Sequence, residues 1–216
     1  MKKFAVILSG CGQLDGSEIH EAVMTLLAID RNQCTYSIFA PNEEQYHVIN
    51  HLTREVTEEK RNILVEAARI ARGEIRDVKE YHAEDFDGLI LPGGYGAAKN
   101  LFTYAIEGVN AKVNPDIEKA IKATYLLKKP IGALCIAPVL LSKVLEDITI
   151  TIGSDAETID NVKKMGAHHI NTLVTEVISD KQNMIFSTPC YMLPATIADI
   201  ADSADNLIRA ILENMQ

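Results

Sequence analysis

Short, continuously apolar runs alternate along the chain with longer segments whose apolar residues recur at helical spacing. Runs of the first kind are typical of strands buried on both faces of a parallel sheet, and they occupy residues 4–8, 35–40, 88–91, 131–134 and 148–152. The second kind predicts amphipathic helices at residues 17–30, 58–72, 115–128, 137–145, 157–165 and 193–213. Two further strands, residues 174–179 and 184–187, flank a polar turn. The alternation predicts one α/β domain over residues 1–216, with helices on both faces of a mostly parallel sheet. Residues 41–58 are the least regular stretch and are expected to form a lid or an insertion.

The composition fits a folded protein and disfavours two classes of partner. Hydrophobic residues make up 47% and charged residues 24% of the 216 residues, as is ordinary for a soluble domain. The formal net charge of −9 repels phosphate backbones and anionic lipid, so neither nucleic acid nor a membrane is expected as a partner.

The apolar runs are too short for membrane insertion or secretion. The longest near-apolar run, residues 131–141, cannot span a bilayer. The apolar stretch near the N-terminus, residues 4–8, is far shorter than the core of a signal peptide. We therefore expect a cytoplasmic location.

The chain has four cysteines, and their spacing disfavours a structural metal site. No two of them form a Cys-x-x-Cys pair, and the six histidines show no metal-binding spacing. No metal is therefore expected, and a disulfide framework is not expected in a reducing cytosol. A free cysteine ordinarily fills space in a core, so a functional role must be argued from its surroundings.

The strongest functional signal is Cys135, which follows the predicted strand 131–134 and directly precedes a helix. Ala133 and Ala137 lie two residues before and after it, and Pro138 suits the first turn of the helix. A nucleophile on a sharp strand-to-helix turn needs small residues at those two positions. The helix N-terminus would lower the thiol pKa, which predicts an activated thiolate. A cysteine that only fills the core is equally compatible with this spacing.

Glycines in the turn after the strand 88–91 could serve the same site. Gly93 and Gly94 belong to the segment PGGYG at residues 92–96. Glycine lets the backbone approach a ligand closely and point N–H groups at a developing oxyanion. The alternative is an ordinary turn that ends a strand.

The third signal is a group of carboxylates at the start of the first helix, in the segment DGSEIHE at residues 15–21. A carboxyl group there could reach a thiol on a neighbouring strand end and exchange a proton with it. The structural alternative is a capping box formed by Asp15 and Glu18.

Four motifs together resemble a known family. The sequence resembles the ElbB-like branch of the ThiJ/PfpI superfamily, which has the class I glutamine-amidotransferase-like fold, and the resemblance covers essentially the whole chain in family order. The motifs are FAVILSGCG at 4–12 with DGSEIHE at 15–21, LPGGYGAAKNL at 91–101, GALCIAP at 132–138 and STPCYML at 187–193. The resemblance implies a flavodoxin-like three-layer sandwich in which a strand, a nucleophile elbow and a helix carry the cysteine.

The resemblance also implies roles for particular residues. Cys135 is the nucleophile, Glu18 is the acid that hydrogen-bonds its thiol, and Asp15 is a lesser candidate for that acid. The groups that bind an oxyanion are then Gly93, Gly94 and the backbone N–H of Ile136.

The chain departs from the hydrolytic relatives in its histidines. Proteolytic relatives carry a His directly after the cysteine, where this chain has Ile136, and the later His168 and His169 lack the His-x-Glu pattern of amidotransferases. Neither a Cys–His protease nor a glutaminase is therefore expected. Ser154 or Asp155 lies where some relatives place a His, so a third catalytic member is not assigned.

Further residues are candidates for the pocket. Cys11 and Cys190 lie in turns at sheet ends, where either could line it. The helix 58–72 carries Asn62 and Glu66 on one face, which could overhang the cysteine elbow. The alternative for that face is a solvated stripe with an ordinary Glu–Arg pair.

The resemblance implies a cofactor-independent glyoxalase-type enzyme, because members of this branch are described as isoprenoid-biosynthesis proteins with glyoxalase activity. Cys135 would add to a small 2-oxoaldehyde, Glu18 would move a proton, and water would release a 2-hydroxy acid. No cofactor is expected, and a homodimer is expected by analogy with the superfamily. The competing hypothesis is a binding or regulatory protein that senses oxidants or electrophiles through Cys135.

Overall fold

A seven-stranded sheet runs through the centre of the computed structural model, which describes residues 1–215. The strand order is β3-β2-β1-β4-β5-β9-β8, and within it only β8 runs antiparallel to its neighbour. A separate parallel pair is formed by β6 and β7. The strands are β1 (Lys3–Ile7), β2 (Thr35–Ala40), β3 (Ile75–Asp77), β4 (Gly88–Leu91), β5 (Ile131–Leu134), β6 (Thr149–Ile150), β7 (His168–His169), β8 (Ile178–Asp180) and β9 (Ile185–Thr188).

Helices cover both faces of the sheet, as the alternating pattern predicts. The α-helices are α1 (Ile19–Arg31), α2 (Ile63–Ile70), α3 (Tyr104–Glu107), α4 (Pro115–Leu126), α5 (Ala137–Val144), α6 (Ala156–Lys164) and α7 (Ile197–Asn214). Alternate residues of β1 enter opposite cores. Phe4 and Val6 pack with α1, α2 and α7, whereas Ala5 and Ile7 pack in the layer that holds α4, α5 and α6. The flavodoxin-like three-layer sandwich is therefore confirmed.

The predicted element boundaries fail mainly where side-chain caps fix the helix ends. The helix predicted from residue 58 begins only at Ile63, because the Asn62 side chain accepts a hydrogen bond from the Val65 N–H and caps it. The helix predicted from residue 193 begins at Ile197 behind a capping box between Thr196 and Asp199.

Two predicted strands differ from the structure, and one strand of the structure is not predicted. The segment 174–179 is a strand only from Ile178, where β8 begins. The run 148–152 supplies only the two residues of β6, which pair with β7 outside the main sheet. The edge strand β3 is not predicted from the sequence because it has no apolar run: Arg76 and Asp77 are two of its three residues. An edge strand needs neither face buried, so hydrophobicity does not identify it.

The irregular stretch 41–58 forms an ordered loop over the turn between β1 and α1. Isolated bridges join Glu44 to Asn62 and Ile49 to Val56. The Asp15 carboxylate accepts a hydrogen bond of 2.7 Å from the Ile49 N–H and so fixes the loop to that turn.

The topology brings four turns to one edge of the sheet. The chain order reverses direction between β1 and β4, which is the switch point where ligands bind in sheets of this kind. The carboxyl ends of β1, β4, β5 and β9 are adjacent there. The predicted site motifs follow these four strands and therefore meet at this edge. Among the helices of residues 1–215, none is both long and apolar enough to cross a membrane.

Candidate active site

Cys135 occupies a strained turn between β5 and α5. Its φ is +59°, in the left-handed region that a residue with a side chain seldom adopts. Its backbone N–H donates a 2.9 Å hydrogen bond to the Thr188 carbonyl of β9, which holds the turn in place. Ala133 and Ala137 are fully buried beside it. The strand–elbow–helix geometry is therefore as predicted, and strain held by the surrounding structure is common at functional sites.

The carboxyl group that contacts the Cys135 thiol is that of Glu21, not that of Glu18. The Glu21 carboxyl lies against the cysteine side chain and is completely buried: a Cβ built on Gly93 would lie 2.5 Å from the Cys135 Cβ and 2.7 Å from Glu21 Oε2. Its Oε2 accepts from the Gly93 N–H at 3.0 Å, and its Oε1 accepts from the Tyr191 N–H at 3.3 Å. Glu21 therefore joins the turns that follow β4, β5 and β9.

Burial also sets the charge of Glu21. Desolvation, with repulsion from Glu18 as the next cause, raises the pKa of Glu21 to about 8. At neutral pH this carboxyl is largely protonated, and a protonated carboxyl can donate a hydrogen bond to sulfur.

Glu18 has a different position and task. Its side chain accepts a 2.7 Å hydrogen bond from the Glu21 N–H and so caps α1, and it lines the cavity that opens on Cys135. Glu18 and Glu21 lie three residues apart, so one turn of helix presents both near the elbow. The available sequence signal was the buried stripe of α1, in which Glu21 lies beside Ala22 and Thr25.

The two glycines after β4 do not both face an oxyanion. The Gly94 N–H lies near the sulfur of Cys135, where it favours the thiolate by lowering the pKa of the thiol. The Gly93 N–H is engaged by Glu21, so its predicted role as an oxyanion donor is not supported. Gly93 is instead required for space, because a Cβ there would lie 2.5 Å from the Cβ of Cys135. Ile136 is the N-cap residue of α5 and lines the cavity. Its backbone N–H therefore remains the predicted hydrogen-bond donor to an oxyanion.

The thiol itself is not an exposed thiolate. Burial raises the pKa of Cys135 well above its usual value, and the neighbouring Glu21 and Cys190 add to the rise. The prediction of a lowered thiol pKa is therefore wrong in direction, because desolvation of the buried thiol is the largest cause of the shift. A proton shared between Glu21 and Cys135 offers a route to the thiolate, since a neutral Glu21 no longer repels it.

A cavity of about 440 Å³ opens on Cys135. Asp155, one of the two residues predicted at the position of a missing His, lines it, while its carboxylate caps α6 by accepting from the Thr158 N–H at 2.9 Å. No histidine of residues 1–215 lines the cavity, although His20 Nδ1 lies 2.8 Å from the hydroxyl of the lining residue Tyr191. The polar residues of the lining are Gln13, Glu18, Tyr95, Tyr104, Asp155, Thr158 and Tyr191.

Asp15 and Cys190 were also predicted for the pocket. Asp15 lies in the turn between β1 and α1, and Cys190 lies in the turn that follows β9. Cys190 is fully buried, and a charge on it would raise the pKa of Cys135, so it is a neighbour of the nucleophile behind the cavity wall. The Asp15 carboxylate faces the loop 41–58 and lies 3.8 Å from His51. Neither residue lines the cavity within the described part of the chain.

The remaining candidates lie around α2. Burial raises the pKa of the Cys11 thiol, and repulsion from the Glu66 carboxylate raises it further. Glu66 forms an ion pair of 3.0 Å with Arg69 on α2, the structural alternative considered for this face. Asn62 caps α2, and none of Cys11, Asn62 and Glu66 contributes to the cavity lining that the described residues form. No group of three or more His, Cys, Asp or Glu within residues 1–215 could hold a metal ion.

Replacing Asn62 by alanine tests its assignment as a cap. We expect the unfolding free energy to fall by about 1 kcal/mol, because the Val65 N–H loses its acceptor. Reactivity of Cys135 should stay within twofold of wild type. Asn62→Asp, which retains the cap, is the control, and a loss of Cys135 reactivity in Asn62→Ala alone would return this residue to the pocket.

The fold and the elbow define an amidotransferase-like α/β protein with a buried cysteine at the strand–helix turn. The DJ-1/PfpI family model matches residues 12–195. The chain belongs to the DJ-1/PfpI family.

Relatives of high similarity extend over nearly the whole chain. The rat "ES1 protein homolog, mitochondrial" is 42% identical, covering 98% of this chain and 83% of the relative. The human "glutamine amidotransferase-like class 1 domain-containing protein 3, mitochondrial" is 41% identical over 98% of this chain and 82% of its own length.

Two solved structures place the chain within this fold. An isoprenoid biosynthesis protein with an amidotransferase-like domain from Ehrlichia chaffeensis has a TM-score of 0.91 and 38% identity, with 98% of this chain and 99% of that chain covered. A glyoxalase III from Candida albicans shares the fold at 14% identity, with a TM-score of 0.63 and 97% of each chain covered. The ElbB-like resemblance is thereby confirmed.

The predicted cytoplasmic location is contradicted by these relatives. The rat and human proteins, and a zebrafish relative, are named as mitochondrial. Composition and the length of apolar runs separate soluble from membrane-inserted or secreted chains, but they do not distinguish the cytosol from the interior of an organelle.

Proposed function

We propose that the protein is a cofactor-independent glyoxalase-type enzyme that converts a 2-oxoaldehyde to a 2-hydroxy acid at Cys135. The observation that carries this proposal is the close approach of the Cys135 side chain to a buried Glu21 whose pKa is raised to about 8. A thiol and a carboxyl that share one proton near neutral pH suit addition to an aldehyde. The likeness in fold to a glyoxalase III supports the same chemistry.

The first step forms a bond between sulfur and carbon. The Cys135 thiolate adds to the aldehyde carbon, and the former carbonyl oxygen takes the proton that Glu21 held. The product is a hemithioacetal. The Gly94 N–H, which lies near the sulfur, is a donor beside the reacting centre.

The second step moves a proton along the substrate. Glu18 lines the cavity, so its carboxylate is the group placed to take the proton from the former aldehyde carbon and return one to the neighbouring carbon. The hydroxyl proton on the first carbon's oxygen passes to the oxygen of the neighbouring carbon. The first carbon is thereby oxidised and the second reduced, which leaves a 2-hydroxyacyl thioester on Cys135. Water then cleaves the carbon–sulfur bond and releases the hydroxy acid, the thiolate leaves, and Glu21 regains its proton. Overall, one water is consumed and no external oxidant or reductant is needed.

The proposal is tested by incubating the purified protein with methylglyoxal in D₂O and following lactate by proton NMR. We expect lactate that carries deuterium at the hydroxyl-bearing carbon, because a carboxylate exchanges its proton with solvent. Absence of lactate above the uncatalysed rate would reject the enzymatic function. Lactate without deuterium would reject the proton-shuttle step.

Glu18→Gln separates the shuttle from the helix cap. Glutamine can accept the same hydrogen bond from the Glu21 N–H, so the melting temperature should change little. An amide cannot move a proton, so turnover should fall about 10²-fold or more. Thermal unfolding and methylglyoxal turnover are measured on the same preparation. Wild-type turnover would remove Glu18 from the mechanism, whereas loss of the fold would assign it to capping alone.

A regulatory protein that senses electrophiles is the second candidate. The high pKa and burial of Cys135 favour slow modification, and Cys190 lies close to it. Such a protein would be modified once by each equivalent of methylglyoxal and would stop, whereas an enzyme would turn over repeatedly. Light scattering on the same preparation measures the molecular mass and so tests the predicted homodimer.

A further inference from the structure

The cavity over Cys135 is lined by carboxylates and tyrosine rings and, among residues 1–215, by no lysine, arginine or histidine. The carboxylates belong to Glu18 and Asp155, and the rings to Tyr95, Tyr104 and Tyr191. This combination disfavours an anionic ligand, because a carboxylate or phosphate would meet the buried carboxylate of Glu18 and the exposed one of Asp155, with no cationic side chain in the lining that the described residues form.

Each carboxylate keeps one oxygen free of the protein. Glu18 Oε2 accepts the Glu21 N–H, and Asp155 Oδ2 accepts from the N–H and the hydroxyl of Thr158. No donor among the described residues contacts Glu18 Oε1 or Asp155 Oδ1. Hydrogen bonds from Thr158 lower the pKa of Asp155, so this carboxylate is charged at neutral pH.

Two cationic or titratable side chains that contact lining tyrosines already have other partners. Lys99 Nζ lies 5.4 Å from the centre of the Tyr95 ring and donates to the Leu14 carbonyl, and Lys99 does not line the cavity. His20 pairs with the Tyr191 hydroxyl. One face of the Tyr95 ring is therefore already covered by a cation, which leaves Tyr104 and Tyr191 as the lining rings without one among the described residues.

The volume exceeds the needs of a minimal 2-oxoaldehyde. A cavity of about 440 Å³ corresponds to roughly 15 water molecules at the liquid's volume per molecule. Methylglyoxal would fill only a fraction of it. A substrate with a tail would fill the remainder and place that tail between the free carboxylate oxygens and the tyrosine rings.

We propose that this cavity selects small carbonyl compounds that carry an ammonium or guanidinium group and rejects carboxylated or phosphorylated ones. The carbonyl part rests on the proposed function, whereas the charge preference concerns binding alone. Carboxylates supply the attraction, and aromatic faces are suited to cations whose charge is spread over methyl groups or a guanidinium plane.

The test compares choline with 3,3-dimethyl-1-butanol, its neutral isostere, by ligand-observed NMR titration. We expect choline to bind at least tenfold more tightly to the wild type. The advantage should fall several-fold in Glu18→Gln and in Asp155→Asn, which removes the charge but keeps a side chain able to cap α6. Glu157→Gln is the matched control, since it removes an equal charge from the first turn of α6 without altering the cavity lining.

A second arm places the effect at Cys135. Cationic trimethylammonium-ethyl and anionic sulfonato-ethyl methanethiosulfonates are reacted with a Cys11→Ser, Cys34→Ser chain, and peptide mapping identifies the modified thiol. The rate of the cationic reagent at Cys135 is divided by that of the anionic one, and the ratio is normalised to the same ratio for glutathione. We expect a value of at least about 10 that falls in Asp155→Asn.

Equal binding of choline and its isostere would overturn the proposal, as would an advantage that Glu157→Gln reduces as much as Asp155→Asn does. Neither arm requires turnover. A protein that binds choline selectively but makes no lactate would therefore refute the glyoxalase function and retain the charge preference.

Discussion

Replacing Cys135 by alanine is expected to abolish methylglyoxal turnover, with a loss of at least about 10³-fold as for removal of other enzymatic nucleophiles. The thiol is the group that would bond the aldehyde carbon, and within the cavity lining no other cysteine, serine or lysine side chain could replace it. Alanine occupies less volume than cysteine, so the elbow and the fold should remain. Lactate formation and thermal unfolding are measured together.

Cys34→Ala is the matched control for that variant. Cys34 is also buried, but it lies before β2, where its thiol donates to the Asn32 carbonyl, and it is absent from the cavity lining. Turnover should remain within twofold of wild type. Equal activity in Cys135→Ala and Cys34→Ala would refute the assignment of the nucleophile.

Replacing Glu21 by glutamine is expected to reduce turnover about 10² to 10⁴-fold, although the residue is completely buried and does not line the cavity. Glutamine has nearly the same shape, but it cannot pass a proton to the former carbonyl oxygen. Its single oxygen also cannot accept both the Gly93 and the Tyr191 N–H groups as the carboxyl does. The turns after β4 and β9 should therefore loosen slightly around the elbow.

The same variant should change how stability depends on pH. The pKa of Glu21 is about 8 in the folded protein and near the ordinary 4.5 in the unfolded chain. Between these values the folded state holds a proton that the unfolded state has released, so the free energy of unfolding falls as pH rises. This penalty amounts to at most roughly 5 kcal/mol by pH 8.

Glu21→Gln has no such titration, and its melting temperature should depend less on pH between 5 and 8 than that of the wild type. Glu18→Gln is the comparison variant: it should retain the dependence over a narrower pH range, because Glu21 keeps its titration but loses the repulsion from Glu18 that helps to raise its pKa. A parallel pH dependence in wild type and Glu21→Gln would show that Glu21 does not carry the raised pKa.

The central strands and the elbow could be predicted because burial restricts which residue types their positions accept. β4 and β5 are covered on both faces, so they read as unbroken apolar runs. The elbow requires small neighbours, and Ala133 and Ala137 supply them. The edge strand β3 contains charged residues and has no apolar run from which it could be predicted.

The partner of the thiol could not be assigned as readily, because two glutamates lie one helical turn apart at the same strand end. Glu18 and Glu21 both point toward the elbow region, and only the phase of the buried face of α1 distinguishes them. Glu21 lies on that face, and Glu18 lies at the cap. The direction of the shift in the thiol pKa was also missed, because desolvation depends on the depth of the site and not on the adjacent helix N-terminus alone.

The most direct test of the shared proton is the pH dependence of Cys135 alkylation by iodoacetamide, followed by peptide mass, in wild type and Glu21→Gln. The wild-type rate should rise through an apparent pKa near 8, where the pair loses its first proton, and methylglyoxal turnover should rise over the same range. In Glu21→Gln that step should vanish from the alkylation profile while Cys135 remains alkylatable. An unchanged profile in Glu21→Gln would contradict the account, because the thiol would then ionise independently of the carboxyl beside it.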